Sequence, residues 1–404
     1  MKLFDTMIRK KREFRPLLGN NVRIYTCGPS VYAYSHIGNF RTYVFEDILV
    51  RYLIYKGYQV KRIMNITDVE DKAILCVKKE GRTLEAVQKE KINAFLSDFN
   101  ELGMLKPTII AKASEHIDQM TTLIEKICKN GYCRYEKDGV YFDVRKFLRY
   151  GNLKHIKNKK YLGKMNKDDY SREGLWDFRL WKFWTPRDGN VKWRSSFGIG
   201  RPGWHIECSA MAMHYLGDSF DIHCGGSDNI YPHHENEIAQ SESASGEKLA
   251  NFWLHAKHLT IEKKKMSKRT GNVLYVKQLK KAGVPPNCLR FYLTSEKYRN
   301  PLDFSIEKFK SKVCDCEKTR KLIKKLKNIS GSGGSKIGKT YAKKLLEGFE
   351  NAMDDDLNTK LAYKRIFAVM DNVEILINAK KLSKKDCIEI VRAIGKIDSV
   401  LRVF

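Results

Sequence analysis

The chain has 404 residues, more than one hydrophobic core usually serves, so two or more domains are expected. Hydrophobic content of 42% is ordinary for a globular protein. No apolar run is long enough to span a bilayer, which excludes a helical membrane protein and makes the cytoplasm the expected location. Lys and Arg total 76 against 47 Asp and Glu, a net charge of +29. A lysine-rich, soluble surface fits that excess, and so does a polyanionic partner such as nucleic acid.

The start, Met1-Lys2-Leu3-Phe4-Asp5, has no apolar stretch ahead of a small-residue cleavage site, and strand-like sequence begins by Val22, leaving little room for a leader. Residues 22–27 predict a strand and residues 37–56 a helix, on which Phe40, Val44, Ile48 and Leu53 recur at helical spacing. Gly57 stops that helix, and residues 58–66 read as a second strand. Strand, helix, strand opens a nucleotide-binding α/β sheet. Ser114 is expected to cap a helix ending near Gly131, and residues 132–144 to form a hairpin around Lys137-Asp138-Gly139. The α/β rhythm is interrupted from about 110 to 198. It returns with a helix from Trp204, a strand over residues 220–224 and a helix opened by Pro232. Residues 305–328 and 340–404 carry a helical pattern.

Gly333 to Thr340 formally satisfies the GxxxxGK[ST] phosphate-loop pattern. A genuine loop of that kind follows a buried strand, whereas the residues ahead of this one form a basic amphipathic helix. The segment reads as a flexible linker. Ten cysteines occur without a CxxC pair or a secretory signal, which argues against a disulfide framework and for reduced thiols. Cys76, Cys128, Cys133, Cys288, Cys314, Cys316 and Cys387 read as packing residues.

Two short signals bear on phosphate. His36-Ile37-Gly38-Asn39 follows the first strand and opens the first helix, where free N–H groups and the positive dipole end attract an anion. Gly38 permits close backbone approach and His36 can donate to phosphate. Lys265-Met266-Ser267-Lys268 supplies two mobile cations for charge developing on a polyphosphate.

Cys27, Cys208, His233 and Glu237 are chemically suited to zinc, His233 and Glu237 being i, i+4 on one helix face. The same residues also fit two buried apolar thiols and a histidine hydrogen-bonding at a helix start.

With these motifs the chain resembles the class I aminoacyl-tRNA synthetases. The stretches Gly200-Arg201-Pro202-Gly203-Trp204-His205-Ile206-Glu207-Cys208, Gly225-Gly226-Ser227-Asp228, Pro232-His233-His234-Glu235-Asn236-Glu237, Asn65-Ile66-Thr67-Asp68 and Ala352-Met353-Asp354-Asp355-Asp356 narrow it to the cysteinyl-tRNA synthetases. The resemblance runs along the whole chain. It implies an α/β fold: a class I Rossmann-type catalytic core with an inserted subdomain, then an all-α C-terminal bundle. The expected bounds are 1–109 and 199–260 for the two halves of the core, and 110–198 for the insertion. Residues 261–328 would carry the KMSK loop and stem contacts, 329–340 the linker and 341–404 the tRNA-binding bundle.

The resemblance further implies ATP-dependent, Mg2+-assisted activation of L-cysteine to cysteinyl-adenylate and transfer to the 3′-terminal adenosine of tRNA(Cys), by a monomer. Cys27, Cys208, His233 and Glu237 align with the family's zinc ligands, and a thiophilic ion would select cysteine thiolate over serine without editing. Four protein ligands normally close a zinc site, so substrate entry requires five-coordination or a loosely held Glu237. His36, Gly38, Asn39, Lys265 and Lys268 would act on the triphosphate, and Gly226 and Asp228 on the nucleotide, Asp228 holding the ribose. Cys27, Thr67, Trp204 and His234 would line the amino-acid pocket, although His205 and His234 suit support of a ligand better than catalysis. Asn39 departs from the family's final histidine, Arg269 from its final serine, and Cys224 from its usual residue. The family usually carries a small further module after the bundle that helps read the anticodon, whereas this sequence runs to Phe404 soon after it; how fully the anticodon is read, or whether a partner supplies that contact, is left open by the sequence. Two other activities share parts of the pattern: an ATP-dependent ligase joining cysteine to an amino-sugar, as in mycothiol synthesis, and an inactive RNA-binding paralogue. The +29 charge and residues 352–358 favour tRNA.

Overall fold

The computed structural model describes residues 1–69, 83–156, 176–266, 271–330 and 337–404. A two-stranded hairpin, β1 (Lys2–Asp5) and β2 (Lys10–Glu13), precedes β3 (Asn21–Thr26), α1 (Ile37–Tyr55), β4 (Gln59–Ile66), α2 (Leu84–Glu101) and β5 (Ile109–Lys112). Phe40, Val44, Ile48 and Leu53 of α1 are all buried, as their spacing predicts. Gly57, at φ +91°, ends the helix: its N–H reaches Ile54 O and that of Tyr58 reaches Leu53 O, which satisfies the last carbonyls.

The central sheet is parallel and runs β12–β11–β3–β4–β5, with β11 (Phe220–Gly226) and β12 (Ala250–Ala256). Chain order reverses between β3 and β11, so a crevice opens there at the carboxyl ends of the strands. Because β5 pairs with β4, the sheet extends past the expected boundary at residue 109. Helix α3 (Ile117–Lys129) likewise packs on α4 (Trp204–Leu216) and α5 (Glu235–Ser245) of the core. The separate part of the insertion is the antiparallel sheet of β6 (Cys133–Glu136), β7 (Gly139–Phe142), β8 (Phe178–Phe183), β9 (Trp193–Ser195) and β10 (Gly198–Pro202). Its first two strands are the hairpin expected around Asp138.

Ser114 does not cap α3. The cap position belongs to His116, while the Ser114 N–H and hydroxyl both donate to Asp68, at 2.8 and 2.6 Å. A second correction concerns the thiols. Cys128 and Cys133 form a disulfide, because the turn between α3 and β6 brings their Cα atoms to 4.6 Å, a separation a bridge can span. Cys27, Cys208, Cys224, Cys288, Cys314, Cys316 and Cys387 are free.

Beyond β12 lie β13 (Leu259–Ile261), β14 (Lys264–Lys265), α6 (Val276–Lys281), α7 (Pro286–Thr294) and β15 (Leu302–Phe304). The helices α8 (Ile306–Lys327), α9 (Ile337–Met353), α10 (Thr359–Asn378) and α11 (Lys384–Leu401) form the expected bundle. Lys339 and Thr340 lie inside α9, and Gly338 presses on α11, where an added Cβ would meet Asp386 Cα at 2.3 Å. That glycine serves helix packing, and a helix rather than a strand stands on its N-terminal side. Residues 331–336, the middle of the expected linker, lie outside the described residues.

Two hydrophobic clusters flank the sheet. One joins α1 to α7 and the bundle; the other joins α3, α4 and α5 to the insertion. The N-terminal hairpin ties the layers together. Lys2 N–H donates to Asp354 O, Phe4 N–H to Asp356 Oδ1 and Thr6 N–H to Trp253 O, each at 2.8 Å.

Candidate active site

A cavity of about 650 Å3 occupies the crevice. Its lining includes Cys27, Thr67, Trp204, Cys208 and His233 on one side, and His36, Gly38, Asn39, Gly226, Asp228 and Lys265 on the other. Lys268 lies outside the described residues. His234 is fully buried behind the lining and does not face the cavity.

At the thiol end, Cys27 follows β3, Cys208 sits on α4 and His233 and Glu237 flank the start of α5. One ligand atom from each lies within 4.8 Å of the other three, and all four residues are buried. Glu237 Oε1 is 2.9 Å from His233 Nε2 but forms no well-aligned hydrogen bond. Converging lone-pair donors with an unsatisfied carboxylate oxygen fit a thiophilic divalent cation. A Cys27, His223, His234, Glu237 set meets the same distance test, sharing two members with the first.

The candidate ligand set is held from behind. His223 Nε2 lies 2.8 Å from Glu237 Oε2, and His205 Nδ1 lies 2.9 Å from His233 Nδ1. Cys27 Sγ contacts His234 Nε2 at 3.3 Å; His234 Nδ1 meets His255 Nε2 at 2.8 Å, and His255 Nδ1 meets Thr6 Oγ1 at 2.8 Å. Trp204 stacks on His233 with ring centroids 4.7 Å apart. A hydrogen bond from Cys27 lowers the Cys208 thiol to about 6, while burial, then Cys208, raises Cys27 well above its ordinary value. Burial opposes ionisation of Glu237, but His223 and His233 outweigh it and hold the carboxyl at about 2. Burial likewise opposes a charge on His233, yet Glu237 and Cys208 raise it to about 10.

At the phosphate end, His36 caps α1. Its Nδ1 accepts from Asn39 N–H at 3.3 Å, and Asn39 Oδ1 accepts from His36 N–H at 3.0 Å. Asn39 thus forms the reciprocal bond of a capping box, an arrangement in which a neutral His36 ring, accepting at Nδ1, carries its proton on Nε2. Gly38 makes room for that ring, since an added Cβ would meet His36 Nδ1 at 2.9 Å. Lys265 ends β14 and pairs with Asp228, which also lies 2.9 Å from His258 Nε2. Partial burial would raise the Asp228 carboxyl, but His258 and Lys265 prevail and hold it at about 2.

Residues 13–314 match the family described as the tRNA synthetases class I (C) catalytic domain, and residues 348–404 match the DALR domain. A Cysteine--tRNA ligase of Brachyspira hyodysenteriae is 40% identical, over 99% of this chain and 86% of its own length. One of Chlamydia pneumoniae is 40% identical, over 99% of this chain and 85% of its own length. The chain belongs to the cysteine–tRNA ligases. The fold agrees. The Mycobacterium tuberculosis methionyl-tRNA synthetase in complex with methionyl-adenylate superimposes with a TM-score of 0.66, at 13% identity, over 95% of this chain and 90% of that one. The activity is therefore ligation of cysteine to tRNA, and neither the amino-sugar ligase nor the inactive RNA binder is favoured. No helix among the described residues is long and apolar enough to cross a membrane.

The sequence reading missed His223, His255 and Thr6. A histidine alternating with Asp221 in the buried strand β11 is the available signal for the first. For the other two, separation along the chain concealed the contact.

Proposed function

We propose that the cavity activates L-cysteine at its thiol end and ATP at its phosphate end, and that the chain does so as a cytoplasmic monomer. The observation carrying this reading is the convergence of four buried ligand atoms at one end, facing His36 and Lys265 at the other.

Cys27, Cys208, His233 and Glu237 would hold zinc, whose soft Lewis acidity favours a substrate thiolate over a serine hydroxyl. Glu237 is suited to yield, because His223 offers its second oxygen a partner at 2.8 Å. Thr67 and Trp204 flank the substrate, and His205, His223 and His234 orient the ligands. His36 donates from Nε2 to the ATP phosphates, and Gly226 and Asp228 receive the nucleotide. Lys265 exchanges Asp228 for phosphate oxygens as ATP enters, and with Lys268 stabilises charge on the departing pyrophosphate beside Mg2+. The cysteine carboxylate attacks the α-phosphorus, releasing pyrophosphate, and the tRNA terminal hydroxyl then takes the cysteinyl group from the adenylate.

Cysteine-dependent ATP–pyrophosphate exchange tests the reading, followed by charging of tRNA, with serine and a chelator as controls. Exchange with cysteine alone, lost with zinc, supports it. Equal exchange with serine, or full activity after verified metal removal, rules out the zinc reading.

A further inference from the structure

Arg41 lies on α1 just past Asn39 and is only 2% exposed. Its guanidinium donates from Nε to Lys257 O at 3.0 Å, from Nη1 to Leu293 O at 2.6 Å, and from Nη2 to Lys297 O and Asn300 O at 3.1 and 2.8 Å. All four acceptors are backbone carbonyls, and they lie on two separate segments. Lys257 joins the sheet strand β12 to β13, the root of the hairpin carrying Lys265. Residues 293–300 form the end of α7 and the turn after it. The two segments are themselves joined, Lys257 N–H donating to Tyr298 O at 2.7 Å.

This joint stands between the two halves of the phosphate site. Helix α1 presents His36 and Asn39 at its first turn, and Arg41 fastens the same helix to the base of β13 and β14. Farther along, Ile37 N–H donates to Leu274 O at 2.9 Å, so the segment returning from Lys265 also touches the start of α1. The bundle bears on the joint from its other side. Thr359 Oγ1 donates to Thr294 O at 2.6 Å, and Tyr298 and Arg299 donate to Asp356 at 2.7 and 2.6 Å.

We propose that Arg41 is a positioning residue for adenylate formation, setting the separation of His36 from Lys265, and that the bundle steadies this joint through Thr359. A planar, five-donor guanidinium can engage four divergent carbonyls at once; a lysine ammonium offers three donors from one point. Small displacements between groups acting on one transition state are costly in rate. The inference rests on the phosphate-site reading of His36 and Lys265.

In the full-length chain, Arg41→Lys should lower kcat for cysteine-dependent exchange by about 10- to 100-fold. KM for cysteine should stay within about twofold, because Arg41 bonds none of the thiol-end residues. Thr359→Val should show the same split at about threefold. Loss of thermal stability with kcat unchanged in Arg41→Lys would make the residue purely structural and overturn the proposal. So would parallel changes in kcat and cysteine KM. If Arg41→Lys does not fold, the Thr359→Val split decides by the same criteria. His36→Ala and Lys265→Ala are assayed alongside: if they leave kcat intact, the phosphate-site reading fails; if they reduce it and Arg41→Lys does not, only this inference fails.

Discussion

At the thiol end of the cavity, Cys208, His233 and Glu237 are 3% exposed or less, and His205 and His223 hold His233 and Glu237 from behind. At the phosphate end, Asp228 and Lys265 are more than half exposed and paired chiefly with each other. The contrast fits the recognition proposed for each end. Sorting sulfur from oxygen needs a dry, rigid ligand set whose geometry does not depend on the substrate. Triphosphate needs cations that can follow moving charge, and an exposed ion pair is cheap to break.

That contrast can be broken from its strongest side first. Cys208→Ser should remove bound zinc and cysteine-dependent exchange together, by more than the roughly 10- to 100-fold cost of losing a ligand's outer partner. Metal analysis after dialysis checks it, and retained stoichiometric zinc would contradict the ligand set. His36→Ala should lower kcat for exchange by about 10²- to 10³-fold with zinc content unchanged, the loss typical of one donor to developing charge. His205→Asn should weaken zinc retention by roughly 10- to 100-fold, read as a competition curve against a chelator, while ATP binding is preserved.

Glu46 gives a test by pH. Burial raises it to about 8 against the pull of Arg62, which lies 3.0 Å away beneath the thiol end. An unfolded chain releases that proton near ~4.3, so between roughly pH 5 and 8 the folded form holds more protons and stability falls as pH rises. Glu46→Gln should flatten this decline in Tm; parallel wild-type and variant curves would refute it. The smallest effect belongs to the exposed pair: Asp228→Asn should cost under ~1 kcal/mol of stability while raising KM for ATP, which separates its function from its contribution to the fold.

Much of this arrangement is legible in the sequence. Helix α1 and strands β3 and β4 are legible from their runs of apolar residues and the Gly57 stop between them, α1 being buried on nearly every side rather than along one stripe. The proposed ligands follow from chemistry and resemblance, but spacing cannot show Cys27 and Cys208 adjacent, since the packing of α4 on β3 brings them together. The resemblance implies His234 on the cavity wall, yet it faces inward to Cys27 and His255. Adjacent residues at a helix start point in different directions, and sequence does not say which one faces the ligand. Ser114 carries the composition of a cap, but the nearby Asp68 competes successfully for its donors. The Cys128–Cys133 bridge escaped a reading based on compartment, because a four-residue turn can bring two thiols together without any sequence signature. Nothing in the sequence marks Arg41, because its carbonyl partners lie more than 200 residues away.

The N-terminal hairpin has a consequence for the order of events on the ribosome. Its strands emerge first, but the backbone partners of Lys2, Phe4 and Thr6 are Asp354, Asp356 and Trp253. At roughly 5–20 residues per second, Phe4 waits on the order of 20–70 s for its acceptor. The hairpin therefore cannot complete its docking during synthesis until the bundle has begun to appear, and a nascent chain stalled between residues 253 and 354 would leave Thr6 bonded to Trp253 but Lys2 and Phe4 without their acceptors.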